Sequence, residues 1–463
     1  MILSMWIART DIKNNLKQTL LNLDKKILIL QGARQVGKTA LVNEILSELN
    51  TTKSLKVNLL YPSTTYYPSS LAPVFGRDFY GSEPTGIEFI ENIKKEVGDL
   101  QKLDSPVVIF VDEVDRHPVV MESIQLIAEY SSKLKFIFSG SGLENLNLQN
   151  ASTGRKTYFN LYPITFTEFL NALGEKSLLT YLLEQSPFNK NRSDYYDNLA
   201  EKKIKDFIKV GGMPRLVSCY VEDPLNFKGI ITEIQDLAIS IEENVKLVLG
   251  EKSKLYEYED VLRKICLLSL DTLKFTKLQV QSAGRSEAKK IVNKTVGARV
   301  AHQIRLWENG DDLSKYIIFD SGIANYLLAG SNLLNNKLSS SILGILHETF
   351  VGNSLIHQLG GREDLKYWKS DNKAEVDFAF RTPYFAGIDV KTSSGTSRSL
   401  SSLAIFEKDV DLLVMVTDNN LSLLPNHIAS VPNSTERNIK PLLFIPHFLM
   451  DRCVEIGQEV LGN

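Results

Sequence analysis

Lys26 to Leu46 reads KILILQGARQVGKTALVNEIL, and the interpretation of the whole chain turns on these residues. The run Ile27-Leu28-Ile29-Leu30 is continuously apolar and suits a strand buried on both faces of a parallel sheet. Gly32-Ala33-Arg34-Gln35-Val36-Gly37-Lys38-Thr39 follows at once and fits G-x-x-x-x-G-K-[ST]. Leu41, Val42, Ile45 and Leu46 then recur on one face of a helix. Strand, glycine loop and helix form the setting in which this motif cradles phosphate. Gly32 and Gly37 let backbone N–H groups converge on phosphate oxygens, and the helix N-terminus adds positive potential. Lys38 would reach the β- and γ-phosphates of ATP, and the Thr39 hydroxyl would ligate Mg²⁺. A glycine-rich turn in some other α/β fold is the bland alternative, and the full motif in this setting argues against it.

A second apolar run, Val107-Val108-Ile109-Phe110-Val111, ends in Asp112-Glu113. An acidic pair at the carboxyl end of a buried strand matches the Walker-B pattern. Asp112 would hold Mg²⁺, and Glu113 would act as general base on the attacking water. Leu134 to Ser141 reads as another buried strand ending in hydroxyls; in a P-loop sheet this position lies beside the γ-phosphate, which Ser139 or Ser141 would sense, and a simple serine-glycine turn is the bland alternative. A last strand is expected around Tyr158–Leu161. Arg155, just ahead of it, reads either as an arginine finger or as a surface arginine. Ahead of the glycine loop, residues 8–23 form an amphipathic pattern on Ile12, Leu16, Leu20 and Leu23, with Arg9 expected in solvent. After it come a strand at Leu55–Leu59, a long irregular stretch from Pro62 to Gly86, and helices at 87–97 and 120–131.

The chain has 463 residues, too many for one core, so several domains are expected. Lys+Arg 53 against Asp+Glu 55 gives a formal net charge of -2, which leaves nucleic-acid binding to local patches. Cys219, Cys266 and Cys453 have no metal-ligand spacing and suit a reducing compartment. No apolar run approaches a membrane span, and Arg9 and Asp11 interrupt the start before an export segment forms. A cytoplasmic protein without a membrane partner is the expectation.

Several short motifs follow in order: the glycine loop, the strand ending in Asp112-Glu113 with Val114-Asp115-Arg116-His117-Pro118, Ser139-Gly140-Ser141, and Leu161-Tyr162-Pro163-Ile164-Thr165-Phe166-Thr167-Glu168-Phe169. Together they resemble prokaryotic AAA-type P-loop ATPases that carry a C-terminal domain of unknown function, DUF4143. The resemblance implies a sheet in which another strand separates the phosphate-loop and Walker-B strands. Asp115 stands where the family often has glutamine. Gly211-Gly212-Met213-Pro214 resembles the family's GG-x-P signature in the lid, from which Arg215 would reach toward nucleotide.

The expected division is a P-loop ATPase core over 1–170, a helical lid over 171–250, a winged-helix-like module over 251–330 and a nuclease-like α/β domain over 331–463. The third segment carries Lys274, Lys277, Arg285, Lys289, Lys290, Lys294, Arg299 and Arg305 against one acid, Glu287. That pattern reads equally as a DNA-phosphate surface or as a solvated face.

The last third carries a second signature. Glu375-Val376-Asp377-Phe378-Ala379-Phe380 alternates as a strand, and Gly387-Ile388-Asp389-Val390-Lys391 forms the next. Side chains two apart share a face, so Asp389 and Lys391 point together, and Asp377 meets them across a hairpin. Glu348 projects near the start of a helix beginning at Ile345. The set resembles the D…(D/E)-x-K arrangement of restriction-endonuclease-like folds, PD-(D/E)XK, with aspartate where the family usually reads E-V-K. The resemblance implies a divalent cation on Asp377, Asp389 and Glu348, with Lys391 stabilising charge at phosphorus. The fold expected from sequence is thus α/β, an ATP- and Mg²⁺-using core joined to a DNA-directed domain, with a homo-oligomer as one arrangement. A nucleotide-dependent switch that binds without cutting is the competing reading.

Overall fold

The computed structural model describes residues 7, 9–24, 27–49, 53–58, 103, 105–114, 132–141, 143, 156–189, 192–249, 255–269, 273, 278, 285–307, 314–330, 334, 338–361, 364–370, 374–391, 398–418, 421–431 and 435–462. The stretch 62–86, the helices expected at 87–97 and 120–131, the segment 115–118, Arg155, Lys274 and Lys277 lie outside them. The chain divides into two compact units. One is Ala8–Tyr162 with Gly297–Arg299. The other is Met1–Ile7, Pro163–Val296 and Val300–Asn463.

The first unit runs α1 (Thr10–Leu21), β1 (Ile27–Gln31), α2 (Lys38–Glu48), β2 (Lys53–Asn58), β3 (Val107–Asp112), β4 (Leu134–Gly140) and β5 (Lys156–Asn160). Its strands are parallel in the order β2-β3-β4-β1-β5. β4 lies between the phosphate-loop strand and the Walker-B strand, as expected. Every residue of β1 and β3 is buried, which is why both are unbroken apolar runs rather than alternating ones. α1 buries Leu16 and Leu20, and α2 buries Leu41, Val42 and Ile45. Arg9 departs from the expectation: it is buried, and its Nη1 donates to the Tyr162 carbonyl at 2.7 Å. A guanidinium withdrawn from water needs such an acceptor.

The second unit opens with α3 (Phe166–Ala172), α4 (Lys176–Leu183), α5 (Asp194–Val210), α6 (Pro214–Glu222), α7 (Phe227–Leu249), α8 (Leu255–Leu267) and α9 (Arg285–Gly297). α3 starts at a capping box in which the Thr165 hydroxyl accepts from the Glu168 N–H and the Glu168 carboxylate accepts from the Thr165 N–H. Then follow β6 (Ala301–Leu306), β7 (Ser314–Ile318), α10 (Ser321–Ala329), α11 (Ser340–Gln358), β8 (Lys366–Lys369), β9 (Glu375–Phe380), β10 (Ala386–Val390), α12 (Arg398–Phe406), β11 (Leu412–Thr417), β12 (Ser422–Ser430), β13 (Arg437–Pro446) and α13 (Cys453–Gly462). One sheet holds β12-β13-β11-β10-β9-β8-β6-β7. β6 and β7 fall in the stretch 251–330 expected as a winged-helix-like module; they pair antiparallel, and β6 pairs in parallel with β8, so both strands belong to this sheet.

The Gly211-Gly212 pair has a packing reason. A Cβ on Gly212 would lie 2.1 Å from the Ile164 carbonyl oxygen, and one on Gly211 would lie 2.3 Å from Asp320 Oδ1. Asp320 caps α10 by accepting from the Ile323 N–H, and its other oxygen accepts from the Gly212 N–H at 2.7 Å. Burial pushes the Asp320 carboxyl up to about 6, against the pull of the Ile323, Gly212 and Gly322 N–H groups.

Candidate functional site

The phosphate loop leaves β1 at Gln31. Gly32 passes so close to the next segment that a Cβ would sit 2.4 Å from the Leu161 carbonyl oxygen. Gln35 has φ 65, and Gly37, at φ 96, starts α2 in a left-handed conformation that only glycine adopts without strain. Lys38 is buried, and its ammonium donates to the carbonyls of Gly32 and Ala33, each at 2.8 Å. The lysine thus folds back over the loop that Gly32, Ala33, Arg34, Gln35 and Val36 form.

Asp112 is the hub of this site. Its Oδ2 accepts from the Thr39 hydroxyl at 2.6 Å, and its Oδ1 accepts from the Ser139 hydroxyl and from the Glu113 N–H at 3.2 Å. Register explains the serine: Val111 pairs with Phe138 across β3 and β4, which brings Asp112 beside Ser139. Glu113 follows at φ 57, a left-handed turn that directs the chain away from the sheet immediately after Asp112. A hydroxyl and a carboxylate already in contact are the hard oxygen donors that Mg²⁺ takes, so these residues fit the ion.

Sequence reasoning missed one neighbour of the loop. Arg299 Nη2 donates to Gln31 Oε1 at 2.7 Å, one residue ahead of Gly32. Its φ is 59. Arg299 therefore does not serve only the basic surface to which its composition assigned it. Of that surface, Lys289, Lys290 and Arg305 are exposed and Lys294 is half-buried. Arg215 is paired with Glu233 at 2.7 Å, which engages the guanidinium expected to reach toward nucleotide.

The C-terminal cluster assembles on β9 and β10. Ile388 pairs with Phe378, so Asp389 stands opposite Asp377 in the antiparallel ladder. Lys366 pairs with Ala379 and Trp368 with Val376, so both Asp377 and Phe378 oppose Tyr367 alone. This bulge keeps Val376 and Ala379 in the core against Leu400 and Leu403 of α12. Phe378 lies instead beside Gly352 of α11. Bulges of this kind re-aim side chains near sites.

Asp377 Oδ2 accepts from the Val390 N–H at 2.8 Å, and Lys391 Nζ donates to Asp389 Oδ1 at 2.9 Å. Asp389 Oδ2 is buried and, among the described residues, accepts no hydrogen bond. Burial, and then the nearby Asp377, push the Asp389 carboxyl up to about 7, while Lys391 opposes the shift. Burial and Asp377 also raise Glu348. Lys391 loses hydration, yet Asp389 holds its ammonium above the usual lysine range.

Glu348 lies inside α11, which begins at Ser340, rather than near the helix start. Two unexpected groups join the set, Lys315 and Glu375, paired at 2.5 Å. Among the described residues no three His, Cys, Asp or Glu side chains gather as a metal cage. The expected trio of Asp377, Asp389 and Glu348 is therefore not a closed one. Two carboxylates, one with a bare buried oxygen, still fit Mg²⁺, which commonly takes one or two protein carboxylates together with water and phosphate.

Parallel order β2-β3-β4-β1-β5, a lysine-capped glycine loop and an Asp112–Thr39 contact define a P-loop NTPase core. Comparison with known families carries this further. Residues 24–170 match a family model described as an AAA domain, and residues 343–433 match one described as a domain of unknown function, DUF4143. The chain thus carries a region that matches the AAA-domain model and a C-terminal region that matches the DUF4143 model. Among solved structures it is similar to Drosophila ORC bound to DNA, at 13% identity, with 71% of this chain and 88% of that chain covered and a TM-score of 0.27. It is also similar to the Thermotoga maritima RuvB Holliday junction branch migration motor, at 14% identity, covering 65% and 90%, with a TM-score of 0.30. No curated protein matches the chain. No helix among the described residues is long and apolar enough to cross a membrane.

Proposed function

We propose that this protein hydrolyses ATP and that its nucleotide state governs engagement of DNA by the C-terminal region. The observation that carries the first half is Asp112, held by Thr39 on one oxygen and by Ser139 on the other. Mg²⁺ held by Thr39 and Asp112 would neutralise charge on the β- and γ-phosphate oxygens. Lys38 would exchange its two carbonyl acceptors for phosphate oxygens. Glu113 would accept the proton of the attacking water. Ser139 keeps the Asp112 carboxylate oriented, and the loop N–H groups align the triphosphate. Arg155 would supply the remaining positive charge, in its own site or in a neighbour's if copies assemble. A cytoplasmic setting belongs to the same reading.

The second half rests on Asp377, Asp389 and Lys391, which converge as a phosphodiester-cleaving site requires. Asp377 and Asp389 would hold a divalent cation that activates water, and Lys391 would meet the charge growing on phosphorus. The alternative is a switch that binds DNA without cutting it. One observation favours that alternative: Lys391 is already paired with Asp389, and Lys315 with Glu375, two residues from Asp377. Incubating plasmid and single-stranded DNA with the full chain and Mg²⁺ or Mn²⁺, with and without ATP, tests the choice. Cleavage that disappears in Asp377→Asn while ATP turnover persists supports the nuclease reading. DNA binding without cleavage in the unaltered chain returns the domain to a switch.

A further inference from the structure

Lys315 belongs to no motif. It sits on β7, and the sheet order separates it from β9 and β10 by β6 and β8. Even so, its side chain is only 5% exposed, its ammonium pairs with Glu375, and it lies 5.3 Å over the Tyr367 ring. Tyr367 is the residue that the Asp377–Phe378 bulge opposes. Asp377, Glu375 and Glu348 all act on the Lys315 charge and together outweigh the loss of its hydration.

Lys391 differs in one respect. A third of its side chain meets solvent, so it has room to swing. Lys315 has none, because Tyr367, Glu375 and the sheet enclose it. A divalent cation on Asp377 and Asp389 would therefore face a fixed positive charge in a poorly solvated place, where like charges repel far more than in water.

Resting on the reading of this cluster as a phosphodiester site, we infer that Lys315 keeps the Asp377–Asp389 pair poor in metal until a phosphate arrives. The phosphate's negative charge offsets the ammonium, so cation and DNA bind together and each favours the other. A site built this way holds little metal when no DNA is present.

The test measures Mn²⁺ binding by electron paramagnetic resonance of the full chain at neutral pH, without nucleotide. A short DNA duplex is present or absent, and Asp389→Asn identifies the signal that belongs to this site. The unaltered chain should bind Mn²⁺ at least about tenfold more tightly with DNA than without it. Lys315→Met should bind Mn²⁺ without DNA at least about tenfold more tightly than the unaltered chain, and DNA should add little. Lys315→Arg, which keeps the charge, should behave as the unaltered chain. Should Lys315→Met fold poorly, Glu375→Gln in a Lys369→Met background, which removes the other lysine that Glu375 holds at 2.7 Å, gives an independent reading: the unpaired Lys315 ammonium should weaken Mn²⁺ binding severalfold relative to Lys369→Met alone. Equal Mn²⁺ affinity without DNA in Lys315→Met and the unaltered chain would overturn the role of Lys315 while leaving the metal site standing. No Asp389-dependent Mn²⁺ signal in any variant, with or without DNA, would overturn the phosphodiester reading itself.

Discussion

Replacing Gly212 with alanine tests the packing account of the GG-x-P turn. The new Cβ would lie 2.1 Å from the Ile164 carbonyl oxygen, where ordinary contact begins at 3.4 Å, so the segments must part by about 1.3 Å. Two hydrogen bonds occupy the same place: Ile164 N–H to the Gly212 carbonyl at 2.7 Å, and Gly212 N–H to Asp320 Oδ2 at 2.7 Å. Neither survives that separation. Overpacking of this kind costs about 1–3 kcal/mol. Stripping a donor from a buried carboxylate costs about 1–3 kcal/mol more. The expected loss is about 2–6 kcal/mol. Gly174→Ala is the comparison, because Gly174 has φ +74 but open space around its Cβ position. It should lose only the left-handed penalty, about 1–2 kcal/mol. Urea denaturation followed by fluorescence of Trp307 and Trp368, both in the same compact unit, reads the difference. A Gly212→Ala chain no less stable than Gly174→Ala would refute the argument.

Two further outcomes follow from the sites. Glu113→Gln should bind ATP nearly normally while turnover falls roughly a hundredfold or more, since the side chain acts on water rather than on phosphate; filter binding and phosphate release measure the two separately, and either unchanged turnover or lost ATP binding contradicts the assignment. Asp320 has a folded-state pKa raised to about 6 from 3.8, so its contribution to stability is present below about pH 4 and is lost as pH rises through 6. Asp320→Asn removes that dependence: between pH 4 and 7 the two denaturation profiles should diverge by about 3 kcal/mol, and parallel profiles would show that the carboxyl is not raised.

The candidate nucleotide site was legible in sequence because its parts are local. A buried run, two glycines, a lysine and a hydroxyl follow one another within a few residues, and the Walker-B run ends in its own acid. Ser139 was legible only as a nearby candidate. Its hold on Asp112 depends on register between β3 and β4, which no spacing along the chain reveals. Arg9 was misread because its acceptor, Tyr162, is remote in sequence. Arg299 and Lys315 were invisible as site residues for the same reason: each reaches its partner through a fold that brings distant segments together, Gln31 for one and Glu375 for the other. In the C-terminal domain, alternation correctly paired Asp377 with Asp389 and Lys391. It did not foresee the bulge at Asp377–Phe378, because one extra residue in a strand leaves hydrophobic alternation almost intact. The stretch 251–330 that holds β6 and β7 was expected as a separate winged-helix-like module, since short strands and a basic helix suit a winged helix as well as a sheet edge. Only its pairing with β8 distinguishes them.

The central claim is that Lys38, Thr39 and Asp112 form a working ATP site. Steady-state ATP hydrolysis by the purified full chain with Mg²⁺, compared with Lys38→Ala, tests it most directly. Measurable turnover is expected in the unaltered chain and its abolition in the variant, with weakened ATP binding and unchanged overall folding. Equal turnover in the two proteins would contradict it.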